Sequence, residues 1–381
     1  MTGWKEIPFR KLLIDEVISY GIVQPGQHQE QNSVPIIRVN NFHKRRLNTS
    51  EVLKVSKDIE KNYSRTRLEG GELLITVVGS IGQCAIAPAS LRGWNVARAV
   101  AVARINDEFD KYFIMSQFES EDIQFQMYGN TNDTVQPTLN LSSLKELKFR
   151  IPSSKHEQKA IAAVLSSLDD KIDLLHRQNA TLEAMAEALF RQWFVVEAKE
   201  EWEEKRLGEF FPIKTGKKDA NYSVENGEYP FFTCSKQTLH APDYSFEGSA
   251  ILLAGNGDFN VKRYSGKFEA YQRTYVLIPY SEAYFNFLYV VIQFFLNEIT
   301  EGHRGSVINF ITKGMIEDFV IAMPPDDIMP KLNHFNNIYA SVDANMHQIR
   351  SLEKLRDTLL PKLMSGEVRI RDAEKFVEVT T

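Results

Sequence analysis

Two long stretches of the chain carry apolar residues at alternating steps of four and three positions. The first series is Ile161, Leu165, Leu168, Ile172, Leu175, Asn179, Leu182, Ala186, Leu189 and Trp193, and the second is Ile338, Val342, Met346, Ile349, Leu352, Leu355, Leu359 and Leu363. A mean step of 3.5 residues is typical of a coiled-coil seam. We therefore predict two long helices, with Asn179 as the polar break in the first seam and Pro361 kinking or ending the second helix near its last turn. Two similar seams can cover each other, so we favour mutual packing over the alternative that each helix packs only on its own domain.

The segments in front of these helices repeat within the chain. Residues 135–152 (VQPTLNLSSLKELKFRIP) align without a gap with residues 307–324 (VINFITKGMIEDFVIAMP). The helical segments align as LSSLDDKIDLL (165–175) with YASVDANMHQI (339–349), and as LEAMAEALF (182–190) with LEKLRDTLL (352–360). Residues 71–82 and 248–257 both follow the pattern of a buried strand that ends in a glycine turn. The predicted fold class is α+β, with two mixed domains of short strands and a few helices in a pseudo-two-fold repeat.

The repeat predicts that domains and long helices alternate along the chain. We place the first domain at 1–152, the first long helix at 153–196, the second domain at 197–325, the second long helix at 326–366 and a C-terminal tail at 367–381. Two similar domains on a helical spacer can present two binding surfaces at a fixed separation.

Composition narrows the class of protein. The 381 residues are 43% apolar and 25% charged, which excludes a disordered, collagen-like or disulfide-framework chain. No apolar run reaches the roughly 20 residues that cross a bilayer, so we expect no membrane partner. Cys84 and Cys234 have no partner at metal-ligand spacing, and we expect a cytoplasmic protein in a reducing compartment.

Charge is distributed unevenly although the net charge is only −5. Residues 1–152 contain 19 Lys and Arg against 17 Asp and Glu, whereas residues 202–325 contain 12 against 15. Residues 42–67 alone contain eight basic and three acidic side chains. This local basic patch favours contact with nucleic acid.

Motifs that carry chemistry are missing or incomplete. The turn at Gly255 to Gly257 follows a strand, but no phosphate-binding helix begins after it. The sequence Met323-Pro-Pro lacks the flanking residues with which a DNA amino-methyltransferase holds the amino group of its target. The Glu-x-Lys pairs at 197–199 and 203–205 have no aspartate at a spacing suited to a metal-dependent nuclease. We predict no catalytic residue, no metal ligand and no cofactor bound by this chain.

Several residue runs together resemble the specificity subunits of type I restriction-modification enzymes. These runs are IVQP (22–25), VPIIRV (34–39), VGSIG (78–82), QPTLNLSSL (136–144), FRIP (149–152), HEQKAI (156–161), SLDDKI (167–172), LFRQWF (189–194) and LLPKLMSGE (359–367). The resemblance covers nearly the whole chain. The second domain departs most from the family pattern, because its glycine turn reads GNGD (255–258) and its net charge is negative.

The resemblance implies a non-catalytic, DNA-reading subunit. In this family two target-recognition domains each read half of a split, asymmetric site in double-stranded DNA, and the long helices form an antiparallel coiled coil that acts as a ruler. Members bind two modification (methyltransferase) subunits, through which restriction subunits join, and S-adenosylmethionine, ATP and magnesium belong to those partners. Two alternatives stay open, a coiled-coil scaffold protein and an enzyme with an unrecognised site.

Side chains that contact DNA are predicted from residue type and position. Lys and Arg bind phosphates, and Arg, Lys, Asn and Gln also read base edges. In the first domain we favour His43, Lys44, Arg45, Arg46, Ser80, Gln83, Arg98 and the loop Asn130, Thr131, Asn132 and Asp133. In the second we favour Lys214, Lys217, Lys218, Asn221, Lys236, Asn256, Asn260, Lys262, Arg263, Arg273 and Arg304.

Overall fold

A computed structural model describes residues 3–129, 137–301, 310–324, 328–368, 370 and 372–373. The chain divides into two compact units, one of residues 1–174 with 349–381 and the other of residues 175–348. The two boundaries lie inside the long helices, in front of Leu175 and Ile349, which the sequence alignment pairs with each other. The predicted domain boundaries mark different points and stay a prediction.

The first unit is built from short strands and a few helices. Its strands are β1 (Trp4–Pro8), β2 (Leu13–Tyr20), β3 (Ser33–Ile37), β4 (Phe42–His43), β5 (Arg46–Leu47), β6 (Leu53–Ser56), β7 (Leu73–Thr76), β8 (Cys84–Ile86), β9 (Asn95–Val96), β10 (Val100–Ile105) and β11 (Lys148–Pro152). Its helices are α1 (Lys57–Glu60), α2 (Lys111–Gln117), α3 (Glu121–Gly129) and α4 (Leu141–Glu146), followed by the start of α5 (Lys155–Phe190). The strands form an antiparallel sheet in the order β2-β10-β7-β8, a sheet β6-β3-β9 and the pairs β1-β11 and β4-β5.

The second unit repeats this plan with a larger sheet. Its strands are β12 (Glu203–Arg206), β13 (Ile213–Thr215), β14 (Tyr229–Phe232), β15 (Leu239–Ala241), β16 (Phe246–Ala254), β17 (Val261–Ala270), β18 (Thr274–Leu277) and β19 (Val320–Met323). Its helices are α6 (Phe285–Phe294), α7 (Leu296–Thr300) and α8 (Lys313–Glu317), and α9 (Ile328–Ser365) begins in this unit. The sheet order is β13-β18-β16-β17-β14-β15, in which β14 and β17 run parallel, and β12 pairs with β19.

The segments that the sequence alignment pairs have the same local structure. Asn140 caps α4 by accepting a hydrogen bond from the Ser143 amide at 2.7 Å, and Thr312 caps α8 in the same way from the Met315 amide at 3.4 Å. Each short helix leads into a strand that pairs antiparallel with the first strand of its domain. The predicted α+β class, with two repeated domains and two long helices, is confirmed.

The two long helices contain the predicted seams. Helix α5 has 36 residues, which corresponds to about 54 Å, and continues as a π-helical segment, Arg191–Val196. The structure buries Ile161, Leu165, Leu168, Ile172, Leu175, Asn179 and Ala186 on this helix and Val342, Ile349, Leu352, Leu359 and Leu363 on α9. Helix α9 continues through Pro361 and ends four residues later, about one turn beyond the proline.

Within the second unit the two helices run antiparallel. The Asn179 side-chain oxygen accepts a hydrogen bond from Asn345 at 2.8 Å, whereas the ring of Trp193, farther along the first helix, lies 5.4 Å from that of His334. Later positions on α5 thus meet earlier positions on α9. The same helix ends also join the domain core, where Phe190 and Phe335 are buried together with residues of α6. Both expected modes of packing therefore occur in this unit.

Asn179 and Asn345 provide a test of the helix pairing. Asn179 is 6% exposed, and its amide nitrogen has no hydrogen-bond partner among the described residues. A polar pair in a seam specifies register at a cost in stability. We expect the double variant Asn179→Leu/Asn345→Leu to raise the free energy of unfolding by about 1 kcal/mol, and Asn345→Leu alone to lower it by about 1–3 kcal/mol by leaving a buried amide unpaired. Urea unfolding measures both, and equal losses in the two variants would contradict this pairing.

Candidate nucleic-acid interface

A glycine turn follows an equivalent central strand in each domain. In the first domain the turn begins after β7 and contains Gly79, and in the second it begins after β16 and contains Gly257. The φ angles of these glycines are 75° and 76°. Only glycine adopts this backbone region without steric cost, which explains the residue type at both turns.

In the first domain, backbone hydrogen bonds hold the turn between two other segments. The Val77 amide donates to the Ala99 carbonyl at 2.9 Å, and the Leu139 amide donates to the Val77 carbonyl at 2.9 Å. A fourth segment joins them where the Arg98 amide donates to the Ile22 carbonyl at 2.9 Å. We call the exposed face of residues 21–24, 77–83, 97–99 and 137–139 the turn surface of this domain.

The second domain has corresponding hydrogen bonds. The Gly255 amide donates to the Arg273 carbonyl at 2.8 Å, and the Ile311 amide donates to the Gly255 carbonyl at 2.9 Å. The Gln272 amide donates to the Lys218 carbonyl at 2.9 Å. The turn surface of this domain therefore consists of residues 216–219, 255–261, 271–273 and 310–311.

One glycine in each domain permits the close approach on which this arrangement depends. A Cβ atom on Gly21 would lie 2.0 Å from the Val96 carbonyl oxygen, and one on Gly216 would lie 2.0 Å from the Ala270 carbonyl oxygen. These distances are far below van der Waals contact, so only glycine fits. Both turn surfaces thus have the same backbone arrangement, with a glycine at the point of closest approach.

The exposed polar side chains on the two turn surfaces differ. The first domain presents Gln24, Ser80, Gln83 and Arg98, and the second presents Lys217, Asp219, Asp258, Gln272 and Arg273, with Asn256 half-buried. Amide, guanidinium and carboxylate groups are the ones that read base edges in DNA grooves. Gln24, Asp219, Asp258 and Gln272 were not predicted, because their place beside the turns depends on backbone pairing between distant segments.

The predicted basic run of the first domain contacts the long helices. Arg45 is 7% exposed and its guanidinium pairs with Asp169, while Arg46 pairs with Asp170 at 2.5 Å. Lys44 lies 2.6 Å from Glu353. The three cations that the sequence analysis assigned to DNA thus already pair with carboxylates of the long helices. Their contact with DNA stays a prediction.

Arg263 in the second domain is engaged in the same manner. Its side chain is 11% exposed and pairs with Asp343 of α9. The guanidinium also lies 4.4 Å from the centre of the Tyr339 ring. The sequence analysis predicted Arg263 as a DNA contact, one of two adjacent cations beside a glycine turn. In the structure its side chain packs against α9, and its contact with DNA stays a prediction.

Four other predicted residues of the second domain bind neighbouring groups. Lys218 lies 3.9 Å from the centre of the Tyr222 ring, and Lys236 lies 3.5 Å from Asp258. Asn260 donates to the Cys234 carbonyl at 2.8 Å. Lys262 donates to a backbone carbonyl, and burial lowers its pKa. These contacts shape the loops around the turn surface.

The remaining predicted residues fall into two groups. His43, Lys214 and Asn221 are exposed, and Lys214 lies on β13, an edge strand of its sheet. Asn130, Thr131, Asn132, Asp133 and Arg304 lie outside the described residues. DNA contact by either group stays a prediction.

The described part of the chain shows neither a metal-binding cluster nor a membrane-spanning helix. It contains no group of three or more His, Cys, Asp or Glu side chains that could hold a metal ion. Within the same residues, no helix is both long and apolar enough to cross a membrane.

Comparison with known families decides what the repeated domains are. The profile of the family described as type I restriction modification DNA specificity domain matches residues 17–184 and again residues 199–336. The chain belongs to this family. Each match contains one turn surface, and the predicted family and its role in DNA sequence recognition are confirmed.

Individual relatives agree with this assignment. The chain is 41% identical over 173 residues to the type I restriction enzyme EcoDI specificity subunit of Escherichia coli, covering 44% of this chain and 39% of that protein. The MjaIX specificity subunit of Methanocaldococcus jannaschii is 28% identical over 345 residues, covering 79% of this chain and 78% of that protein. The chain thus aligns with only about two fifths of the length of the first relative.

A solved structure shares the fold. The type I restriction-modification system S subunit from M. genitalium superposes with a TM-score of 0.58 at 18% identity, covering 94% of this chain and 96% of that one. At this identity the likeness concerns the fold alone.

Gly216→Ala tests the close approach in the second specificity domain. Because the added methyl group would meet the Ala270 carbonyl, we expect the free energy of unfolding to fall by about 2–4 kcal/mol. Gly314→Ala in α8 is the matched control, since its Cβ would meet only an Asp318 oxygen at 3.8 Å, and it should change stability by less than about 0.5 kcal/mol. Chemical denaturation of both variants measures the difference, and equal stabilities would refute the steric argument.

Proposed function

We propose that this chain reads a bipartite, asymmetric site in double-stranded DNA, one half with each turn surface. The observation that carries the proposal is the shared backbone arrangement with different exposed side chains. A shared backbone favours the same approach to the duplex in both domains. Different side chains favour different DNA words, so the target is not a palindrome.

The residues retained as DNA contacts are exposed side chains that form no ion pair among the described residues. Arg98 and Gln83 in the first domain and Lys217 and Arg273 in the second supply charge and hydrogen-bond donors. Ser80 on the first turn surface is also exposed and remains a candidate. The same holds for three exposed residues outside the turn surfaces, Lys214, Asn221 and His43. Long cations bind phosphates most strongly, whereas amides and arginine read base edges.

The family assignment also supports a set of partners. We infer that two modification subunits bind this chain and that restriction subunits join through them. Leu174, Met185, Val195 and Val196 along the first long helix and its π-helical extension are exposed apolar side chains that suit such docking. In this proposal S-adenosylmethionine, ATP and magnesium act in the partners, the chain itself is not catalytic, and the assembly is cytoplasmic.

Salt dependence of DNA binding tests the reading surfaces. For the chain in complex with its modification subunits, we expect affinity to fall steeply as salt rises, with a slope reduced by about 0.9 for each phosphate contact removed. Arg98→Ala and Arg273→Ala should each weaken binding about tenfold or more, since a good base or phosphate contact contributes about 1–3 kcal/mol. Lys5→Ala, an exposed lysine on β1, should change little. A DNA affinity that depends neither on the salt concentration nor on Arg98 and Arg273 would favour the scaffold alternative.

Shortening the first long helix tests the spacer role. Half-sites read from one face of a duplex lie roughly 34–36 Å apart. Deleting four residues within 177–181 removes about 6 Å and close to one helical turn, so we expect the same two words across a spacer shorter by one or two base pairs. Because the deletion removes Asn179, it is made in an Asn345→Leu background, which alone should keep the original spacer.

Methylation sequencing of modified DNA measures the spacer in each variant. Deleting only two residues rotates the rest of the helix by about 160° and should abolish specific modification. Altered half-site words with an unchanged spacer would contradict the ruler role.

A further inference from the structure

Each specificity domain inserts one buried arginine against a long helix. Arg263 extends from β17, and its guanidinium pairs with Asp343, donates to the Asn286 side-chain oxygen at 3.2 Å and donates to the Tyr339 carbonyl at 3.3 Å. Asn286 lies on α6, so the arginine connects the domain sheet, a domain helix and α9. These three partners together restrict the Arg263 side chain to one orientation.

Arg45 is held in the same way in the first unit. It lies in the turn between β4 and β5, and its guanidinium donates to Asp169 of α5 and to Ser116 of α2. Arg356 of α9 lies 3.3 Å from the other oxygen of Asp169. The backbone of Arg45 has a φ of 60°, a left-handed conformation that non-glycine residues rarely adopt. The two-residue turn between the paired His43 and Arg46 requires this conformation, and Lys44 shares it with a φ of 39°.

The two aspartates occupy equivalent helix positions. The alignment of residues 165–175 with 339–349 places Asp169 opposite Asp343. The alignment of 182–190 with 352–360 likewise pairs Glu183 with Glu353, which lies 2.6 Å from Lys44. Burial raises the pKa of Glu183, and the nearby charge of Arg263 opposes that rise. The same two helix positions thus face the cations of each domain.

The arginines reach these equivalent positions from different elements. Arg45 comes from a short hairpin turn, and Arg263 comes from the third position of a ten-residue strand. A repeated backbone alone therefore does not produce the pairing. In each pair the arginine side chain is the buried partner, since Asp169 is 18% and Asp343 63% exposed. An ion pair of this kind is a poor source of stability, but it fixes geometry because the buried cation must keep its partners.

We propose that Arg45–Asp169 and Arg263–Asp343 are positioning pairs that fix the orientation of each specificity domain on its helices and thereby restrict recognition to one spacer length. This inference rests on the proposed bipartite function. The pairs do not touch DNA in this proposal; they hold the turn surfaces at a defined angle. Loss of a pair therefore relaxes the spacer requirement and leaves each half-site word intact.

The test compares adjacent arginines that carry the same charge. Arg45→Met removes the buried cation, whereas Arg46→Met removes a neighbour that is 49% exposed and pairs with Asp170 and Asp173 on the same helix. Exposed pairs contribute little, so Arg46→Met is the matched control. Binding of the full chain with its modification subunits is measured on duplexes with the native spacer and with spacers one base pair longer or shorter.

We expect Arg45→Met and Arg263→Met to reduce the preference for the native spacer by about tenfold, which corresponds to about 1.4 kcal/mol, and Arg46→Met to leave it unchanged. Asp343→Asn, which keeps the shape of the side chain, should act like Arg263→Met. Adding Asp343→Leu to Arg263→Met should cause little further loss, since both charges are then gone. Melting temperatures of all variants show whether each one is folded.

The outcomes separate this inference from the function on which it rests. Folded variants with an unchanged spacer preference would overturn the positioning role and leave the bipartite function in place. Lower melting temperatures without a change in spacer preference would mean that the pairs are only structural. Wild-type complex that binds all spacers, or a single unbroken word, would overturn the proposed function itself.

Discussion

The apolar seams of the two long helices are the constraint on which the rest of the structure depends. Each seam must be covered, and each helix begins a few residues after the strand that closes its domain. Packing of a helix therefore also places the domain attached to it. In the second unit one buried core contains residues of the domain helices together with Phe190 of α5 and Phe335 of α9. The helices are in this way part of the recognition domain as well as its support.

Much of the fold could be predicted because the two halves of the chain repeat each other and can be aligned. A step of 3.5 residues identifies the seams without any knowledge of their partner. The gapless alignment around Asn140 and Thr312 indicates the same local structure in both domains, and the structure contains a capped short helix and a closing strand at each place. These features follow from local sequence, where hydrophobic period and capping residues act over a few positions.

The candidate interface was harder to predict, because the fate of a charged side chain depends on groups far away in sequence. Arg45 and Arg98 look alike in the sequence, and the first has more basic neighbours. In the structure Arg45 meets Asp169, more than a hundred residues later, whereas Arg98 is exposed beside the turn. Local charge density therefore does not show which of the two predicted arginines is exposed in the folded chain. The better signal was the pair of glycine turns, since their backbone requirement is local.

The use of basic residues inside the protein also affects how DNA is bound. The chain has a net charge of −5, and Lys44, Arg45 and Arg46 of its most basic stretch are paired with carboxylates of the long helices. These three cations are therefore less available for phosphates, and phosphate contacts provide most of the non-specific affinity for DNA. A surface with few phosphate contacts discriminates mainly through base edges and shape. This arrangement suits a division of labour in which the chain selects the DNA sequence and the proposed modification subunits provide much of the affinity.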